Sequence, residues 1–313
     1  MNGTSYFLAH GKLLITGEYA VLDGAKALAL PTKYGQHLHF HPQPRSNCLL
    51  WESFTDKGHL WFSASWELNS MKVNVGQGLP ETAVLTSLLN SMMSEKGLPT
   101  SFLEGKIETR LDFPREWGLG TSSTLIALLS KWTQINPYYL LEKSFGGSGY
   151  DIAAADATGP FTYKRIKENK ENPEVNIAPF NPSFLNKIYF LYSGNKKNSR
   201  EGISAYRSKS LNPAYISEIS QLTEKVLTVE RFSDFCALIK THEEITGKQL
   251  DLTPVQEEYF TDFQGVVKSL GAWGGDFLMI LTELPKSDII SYFKKKGFST
   301  LFTYNELIFS ENK

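Results

Sequence analysis

Cysteine is scarce in this chain: Cys48 and Cys236 are the two in 313 residues. Thiols so far apart in sequence make neither a disulfide framework nor a zinc knuckle. A reducing compartment is therefore expected, with both thiols in the core as small apolar groups. Long apolar runs are missing too. Nowhere do 18 apolar residues follow one another, so a membrane-spanning helix is excluded. The opening MNGTSYFLAHGK has no basic start and no uninterrupted apolar stretch, and is not read as a signal peptide. Excess charge is absent as well, with 32 Lys+Arg against 33 Asp+Glu. That balance disfavours a nucleic-acid coat, though it leaves room for a local basic pocket. Internal repeats and low-complexity tracts are not found. What remains, 41% hydrophobic and 21% charged residues, is a globular composition, long enough for about two domains. A cytoplasmic protein without nucleic-acid or membrane partners is expected.

The first hundred or so residues read as strands separated by Gly, Pro, Asn and Asp: Tyr6–Ala9, Leu13–Thr16, Gln36–Phe40, Leu49–Glu52, His59–Trp66 and Gly105–Asp112. Among them stands one helix, from Pro80 to Gly97, with Val84, Leu85, Leu88, Leu89, Met92 and Met93 at helical spacing. A second helix is predicted after Gly120, burying Leu125, Ile126, Leu128, Leu129 and Trp132. The polar tract Lys164–Pro182 is the expected domain boundary, dividing the chain at 178/179. Beyond it the patterns give a strand at Lys187–Tyr192 and helices at Pro213–Leu227, Phe232–Ile245 and Pro254–Leu270. A strand at Phe277–Leu281, a helix at Asp288–Lys296 and a strand at Thr300–Tyr304 complete the reading. The result is an α+β pattern, helices covering one face of an antiparallel sheet.

The strongest local signal is Pro114-Arg-Glu-Trp-Gly118-Leu119-Gly120-Thr121-Ser122-Ser123-Thr124, which runs into an apolar helix. Glycines allow a tight turn and close approach to a ligand, and Thr and Ser are expected to cap the helix. Its first-turn N–H groups, which lack internal partners, then suit a phosphate. A loop followed by a well-capped helix is the plain alternative. The Walker pattern is absent, since no Gly-Lys-Thr/Ser follows. His37, His39 and His41 alternate along one strand. Neighbours on a strand face stand roughly 7 Å apart and project side by side, which suits an exposed face better than a metal site. Asp151, before an alanine run, reads by itself as a helix cap.

Two further segments, Gly11-Lys12-Leu-Leu-Ile-Thr-Gly17-Glu18-Tyr19-Ala-Val and Gly271-Ala-Trp-Gly274-Gly275-Asp276, flank the central loop. In order, the three resemble the motifs of the GHMP kinases, over a span from Gly11 to about Leu281. Gly17–Val21 and Gly147-Ser148-Gly149-Tyr150-Asp151-Ile152-Ala153 resemble the phosphomevalonate kinases of that family more than the mevalonate kinases. The resemblance implies a two-domain fold: residues 1–178 like ribosomal protein S5 domain 2 and carrying ATP, and residues 179–313 ferredoxin-like. It implies ATP and Mg²⁺ as cofactors and mevalonate or phosphomevalonate as the small-molecule substrate, with a homodimer an option. Asp151 matches the catalytic aspartate and Lys12 the lysine that pairs with it. Gly118, Leu119, Gly120, Thr121, Ser122 and Ser123 match the phosphate loop, with Ser122 at the position whose hydroxyl reaches Mg²⁺. Glu18, Tyr19, Ser148, Gly149, Gly271, Gly274 and Gly275 match positions lining the active site. Lys196, Lys197 and Arg200 stand where an acceptor's carboxylate or phosphate would be held.

Three departures accompany the resemblance. His10 replaces a proline of the first motif, and Trp273 replaces a glycine of the third. Only 30 residues lie between Gly120 and Asp151, a shortened stretch that lacks the usual second Mg²⁺ ligand, for which Glu142 is the candidate. A mevalonate kinase and a catalytically silent nucleotide-binding homologue remain the alternatives, with diphosphomevalonate decarboxylase a more distant relative.

Overall fold

A computed structural model describes residues 3–194, 199–209, 212–271, 273 and 275–311. In chain order the elements are β1 (Ser5–Thr16), β2 (Ala27–Pro42), β3 (Cys48–Phe54), β4 (Leu60–Glu67), β5 (Lys72–Val75), α1 (Pro80–Lys96) and β6 (Gly105–Leu111). There follow α2 (Thr121–Thr133), α3 (Pro137–Glu142), α4 (Tyr150–Ala154), β7 (Phe161–Lys164), β8 (Glu174–Ile177) and β9 (Ile188–Tyr192). The remainder comprises α5 (Ser199–Arg207), α6 (Pro213–Thr228), α7 (Phe232–Leu250), α8 (Val255–Tyr259), β10 (Val266–Leu270), β11 (Phe277–Leu281), α9 (Lys286–Lys295), β12 (Leu301–Thr303) and α10 (Tyr304–Leu307). The chain packs as two compact units. One comprises residues 1–11, 34–115 and 120–156, the other residues 12–33, 116–119 and 157–313.

In the first unit β3 pairs antiparallel with β4 and parallel with β6, and β6 pairs antiparallel with the second half of β2. Alternation buries Leu38 and Phe40 of β2 and Leu49 and Trp51 of β3, against α1 and α2. Helix α1 starts with Pro80 in its first turn and ends at Gly97 in the left-handed region, as its spacing predicts. Helix α2 buries Ile126, Leu128, Leu129 and Trp132 in the same core. The histidines of β2 are half-buried on the other face. His37 Nε2 contacts Asp112 Oδ2 at 2.7 Å, and its Nδ1 contacts the Tyr6 hydroxyl at 2.6 Å.

In the second unit β10, β11, β9 and β12 form an antiparallel sheet in that order. Phe263, Val267, Leu278, Ile280, Ile289 and Phe293 pack in one of its cores. The helix predicted over Pro254–Leu270 is instead the short α8 followed by strand β10. Gly265 explains the break. Its φ is +155, and an added Cβ would meet the Leu281 carbonyl oxygen at 2.3 Å, so the backbone lies directly on the neighbouring strand. Apolar residues three and four apart across this break imitate a helical stripe. Within the expected boundary tract, Glu174–Ile177 pair antiparallel with β7 as β8, exposed along their length. Both cysteines are free and half-buried rather than core, and burial pushes the Cys236 thiol up to about 11. Among the described residues no helix is long and apolar enough to cross a membrane.

Candidate active site

The central motif changes unit within itself: Gly118 and Leu119 belong to the second, Gly120 onward to the first. In the first unit Gly120 is the N-cap of α2, with φ 97. The expected Thr or Ser cap is not made. Thr121, Ser122 and Ser123 already lie inside the helix, and no side chain caps it. Its first-turn backbone donors thus have no side-chain cap, at the positive end of a helix of 13 residues. The two serines differ. Ser122 is exposed, whereas Ser123 is buried and its hydroxyl donates to Asp151 Oδ2. Thr124 donates to Gln36 Oε1 at 2.7 Å, which fixes the next residue of the turn.

Asp151 stands in the first turn of α4, whose N-cap is Gly149 at φ 88. The helix cap expected of Asp151 is not made: its Oδ1 accepts from the adjacent Ile152 N–H at 3.1 Å, and its Oδ2 faces Ser123. Nearby, burial together with the charges of Asp151 and Asp156 holds the Tyr138 phenol above its usual range. Ser148 is half-buried ahead of α4, and Glu142 is exposed at the end of α3.

In the second unit the Lys12 ammonium donates to the Gly118 carbonyl at 2.9 Å, and the Lys12 N–H donates to the Leu119 carbonyl at 3.1 Å. Gly118 has φ +65, and a Cβ there would lie 1.7 Å from Asp276 Oδ2. The third motif thus packs on the second through a carboxylate that only a glycine admits. The motif itself is the turn between β10 and β11. Gly271 takes φ 75, and the Gly275 carbonyl accepts from the Ser193 hydroxyl at 2.7 Å. Trp273 turns its ring onto Gly247 and its indole N–H onto the Thr253 carbonyl at 3.2 Å. There it lines a cavity of about 780 Å³ with Leu252, Tyr259, Phe260 and Phe298. Lys196, Lys197 and Gly274 lie outside the described residues, as does the side chain of Arg200.

Glu18 enters a buried cluster that sequence reasoning did not foresee. Lys268 of β10 contacts Glu18 Oε1, lies 3.7 Å from Glu243 Oε2 of α7, and donates to the Ser269 carbonyl at 2.8 Å. All of these side chains are at most 5% exposed. Burial pushes the Glu18 carboxyl up to about 7 despite Lys268, and raises Glu243 as well. His242 accepts the Gly17 N–H on Nε2 at 2.9 Å, which requires the neutral ring. Burial, and then the Lys268 charge, hold its pKa well below the ordinary value. Glu18 Oε2 faces that same Nε2 at 3.4 Å, so a proton on Glu18 relieves two opposed lone pairs. The available signal was Lys268 itself, a lysine inside the strand Val-Val-Lys-Ser-Leu.

No family model matches the sequence, and no curated protein is significantly similar to it. Solved structures are similar over nearly the full length. The phosphomevalonate kinase of Streptococcus pneumoniae, in complex with phosphomevalonate and AMPPNP, gives a TM-score of 0.70 at 16% identity, covering 95% of this chain and 99% of that one. The mevalonate kinase of Methanococcus jannaschii gives 0.67 at 15%, covering 96% and 97%. The galactokinase of Lactococcus lactis, complexed with galactose, gives 0.63 at 11%, covering 96% and 92%. The chain has the two-domain α+β fold of the GHMP kinases.

Proposed function

We propose that this chain is an ATP-dependent phosphotransferase acting on a small acceptor of the mevalonate pathway, phosphomevalonate before mevalonate. The observation that carries the reading is the start of α2, where a glycine N-cap leaves the first-turn donors uncapped while Ser123 holds the Asp151 carboxylate. Phosphoryl transfer is catalysed mainly by positioning and by meeting charge on the moving group. Thr121, Ser122 and Ser123 supply backbone donors to the phosphates. Lys12, whose ammonium rests on the Gly118 carbonyl, supplies a positive charge at the same loop. Asp151 orients the acceptor and, where that acceptor is a hydroxyl, takes its proton as the new O–P bond forms.

Among the described residues no three His, Cys, Asp or Glu side chains are grouped to hold a metal. Magnesium is commonly held by one or two protein groups and completed by phosphate oxygens and water. The exposed Ser122 hydroxyl and Glu142 are the residues proposed to hold it. Bound there, magnesium would neutralise phosphate charge.

Acceptor choice is argued from charge. A phosphate acceptor brings roughly two negative charges at neutral pH and needs cations beyond Lys12. The segment with Lys196, Lys197 and Arg200 offers three. Likeness of comparable extent to a mevalonate kinase supports the second reading, with mevalonate as acceptor. The test is transfer from γ-labelled ATP to a panel of phosphomevalonate, mevalonate, homoserine and galactose. Label is expected in phosphomevalonate. Label in mevalonate alone favours the second reading, and label in none contradicts the proposal.

A further inference from the structure

Tyr19 has φ 60 and ψ −46, and the Ala20 N–H donates to the Glu18 carbonyl at 2.6 Å across it. This is a γ-turn of the rare positive-φ kind. A bulky residue held there costs on the order of 1–3 kcal/mol, and such strain persists only where surrounding contacts hold it. The contacts are specific. The Tyr19 hydroxyl oxygen accepts the Trp273 backbone N–H at 3.0 Å, taking hold of the third motif inside its turn. The same oxygen lies against Gly202 of α5, where an added Cβ would stand 2.6 Å away. One ring further along, the Tyr206 hydroxyl of α5 donates to Asp23 Oδ2 at 2.7 Å, binding that helix to the end of the first motif. Burial holds the Tyr19 phenol above its ordinary pKa, so its oxygen stays neutral.

We propose that Tyr19 is a positioning residue whose phenol oxygen sets the turn carrying Trp273 and helix α5 against the first motif, and thereby fixes the acceptor side of the site. The acceptor part rests on the phosphotransfer reading; the positioning part does not. In sequence, helix α5 starts two residues after Lys197 and has Arg200 as its second residue, which connects it to the cations proposed for the acceptor. The glycine at 202 is otherwise hard to account for. In a helix interior alanine is favoured over glycine by about 1 kcal/mol, and here it is excluded by the Tyr19 oxygen.

The test uses Tyr19→Phe, Gly202→Ala and the double variant of the full chain. Hydrogen exchange is read first, since it needs no substrate. In Tyr19→Phe the Trp273 amide and the amides of α5 are expected to exchange at least about tenfold faster, with α1 and α2 unchanged. A uniform acceleration, or none at Trp273, overturns the proposal. Kinetics are read second. Tyr19→Phe is expected to raise the acceptor KM about tenfold while the ATP KM stays within about twofold. Equal changes in both overturn it. Gly202→Ala is expected to harm the native chain and to do less harm when combined with Tyr19→Phe, because the oxygen 2.6 Å from the added Cβ is gone while ring carbons at 3.2 and 3.3 Å remain; additive effects overturn it. If no panel acceptor is phosphorylated, the functional reading fails while hydrogen exchange still decides the role of Tyr19.

Discussion

The start of α2 and the cluster around Lys268 are both made of polar side chains beside a glycine-rich motif, and they use them in opposite ways. At Lys268 the polar groups are directed at one another: two carboxylates, an ammonium and a neutral imidazole, all excluded from water. At α2 the helix start keeps its backbone donors uncapped, and one exposed hydroxyl, Ser122, stands beside a buried one, Ser123. Buried ion pairs are poor evidence for stability in themselves, yet removing one partner is costly. The first region is therefore read as scaffold that holds the first motif, β10 and α7 together, and the second is the place of the proposed chemistry.

Four changes sharpen this contrast. The largest effect is expected from Asp151→Asn, which keeps the shape and removes the charge beside Ser123. For a hydroxyl acceptor kcat should fall about a thousandfold, roughly 4 kcal/mol, with nucleotide affinity unchanged by calorimetry. A comparable kcat would remove Asp151 from the chemistry. Next comes Lys268→Met. It leaves Glu18 and Glu243 without their cation and should cost about 3 kcal/mol in urea unfolding. A neutral outcome would mean that the cluster does not hold the fold. Third, Gly118→Ala places a Cβ 1.7 Å from Asp276 Oδ2 at a positive φ. ATP is expected to bind about tenfold more weakly, about 1.4 kcal/mol, and unchanged affinity would detach this glycine from nucleotide binding.

The smallest effect concerns pH. Glu18 is raised to about 7 in the fold, against about 4.3 in the unfolded chain. The folded protein then holds the extra proton, so this contribution is complete below the unfolded value and is lost as pH rises towards 7. His242 acts in the other direction. Its depressed pKa costs stability as pH falls below about 6.5. Lys268 and Glu243 face the same carboxyl and remain in place in the test. In Glu18→Gln, thermal melts from pH 5 to 8 are expected to lose the decline towards pH 7 and keep the rise attributed to His242. An unaltered profile would place the titration elsewhere.

Local signals in the sequence located most elements. Pro80, Gly97 and the stripe between them define α1, and the continuous apolar run of β11 reads correctly. The failure at 254–270 arose because periodicity does not register Gly265 lying on the backbone of β11. The site divides similarly. GLGTSS marks the helix start to which phosphate binding is assigned by proposal, but only the fold distinguishes Ser123, which faces Asp151, from Ser122, which faces solvent. Glu18 and Lys268 are 250 residues apart, and no spacing rule links them. The strained turn at Tyr19 was equally hidden, since nothing about a tyrosine in Gly-Glu-Tyr-Ala-Val announces a positive φ.

In the proposed reaction the loop at α2 and Asp151 transfer the γ-phosphoryl of ATP to a small acceptor. Phosphorus NMR of the native chain with ATP, magnesium and phosphomevalonate tests it most directly, because substrate and product phosphates resolve in one spectrum. ADP and a new diphosphate ester are expected in equal amounts, and more slowly in Asp151→Asn, where the residue proposed to orient the acceptor has lost its charge. ATP remaining intact with phosphomevalonate and with mevalonate, while calorimetry shows the nucleotide bound, would contradict it.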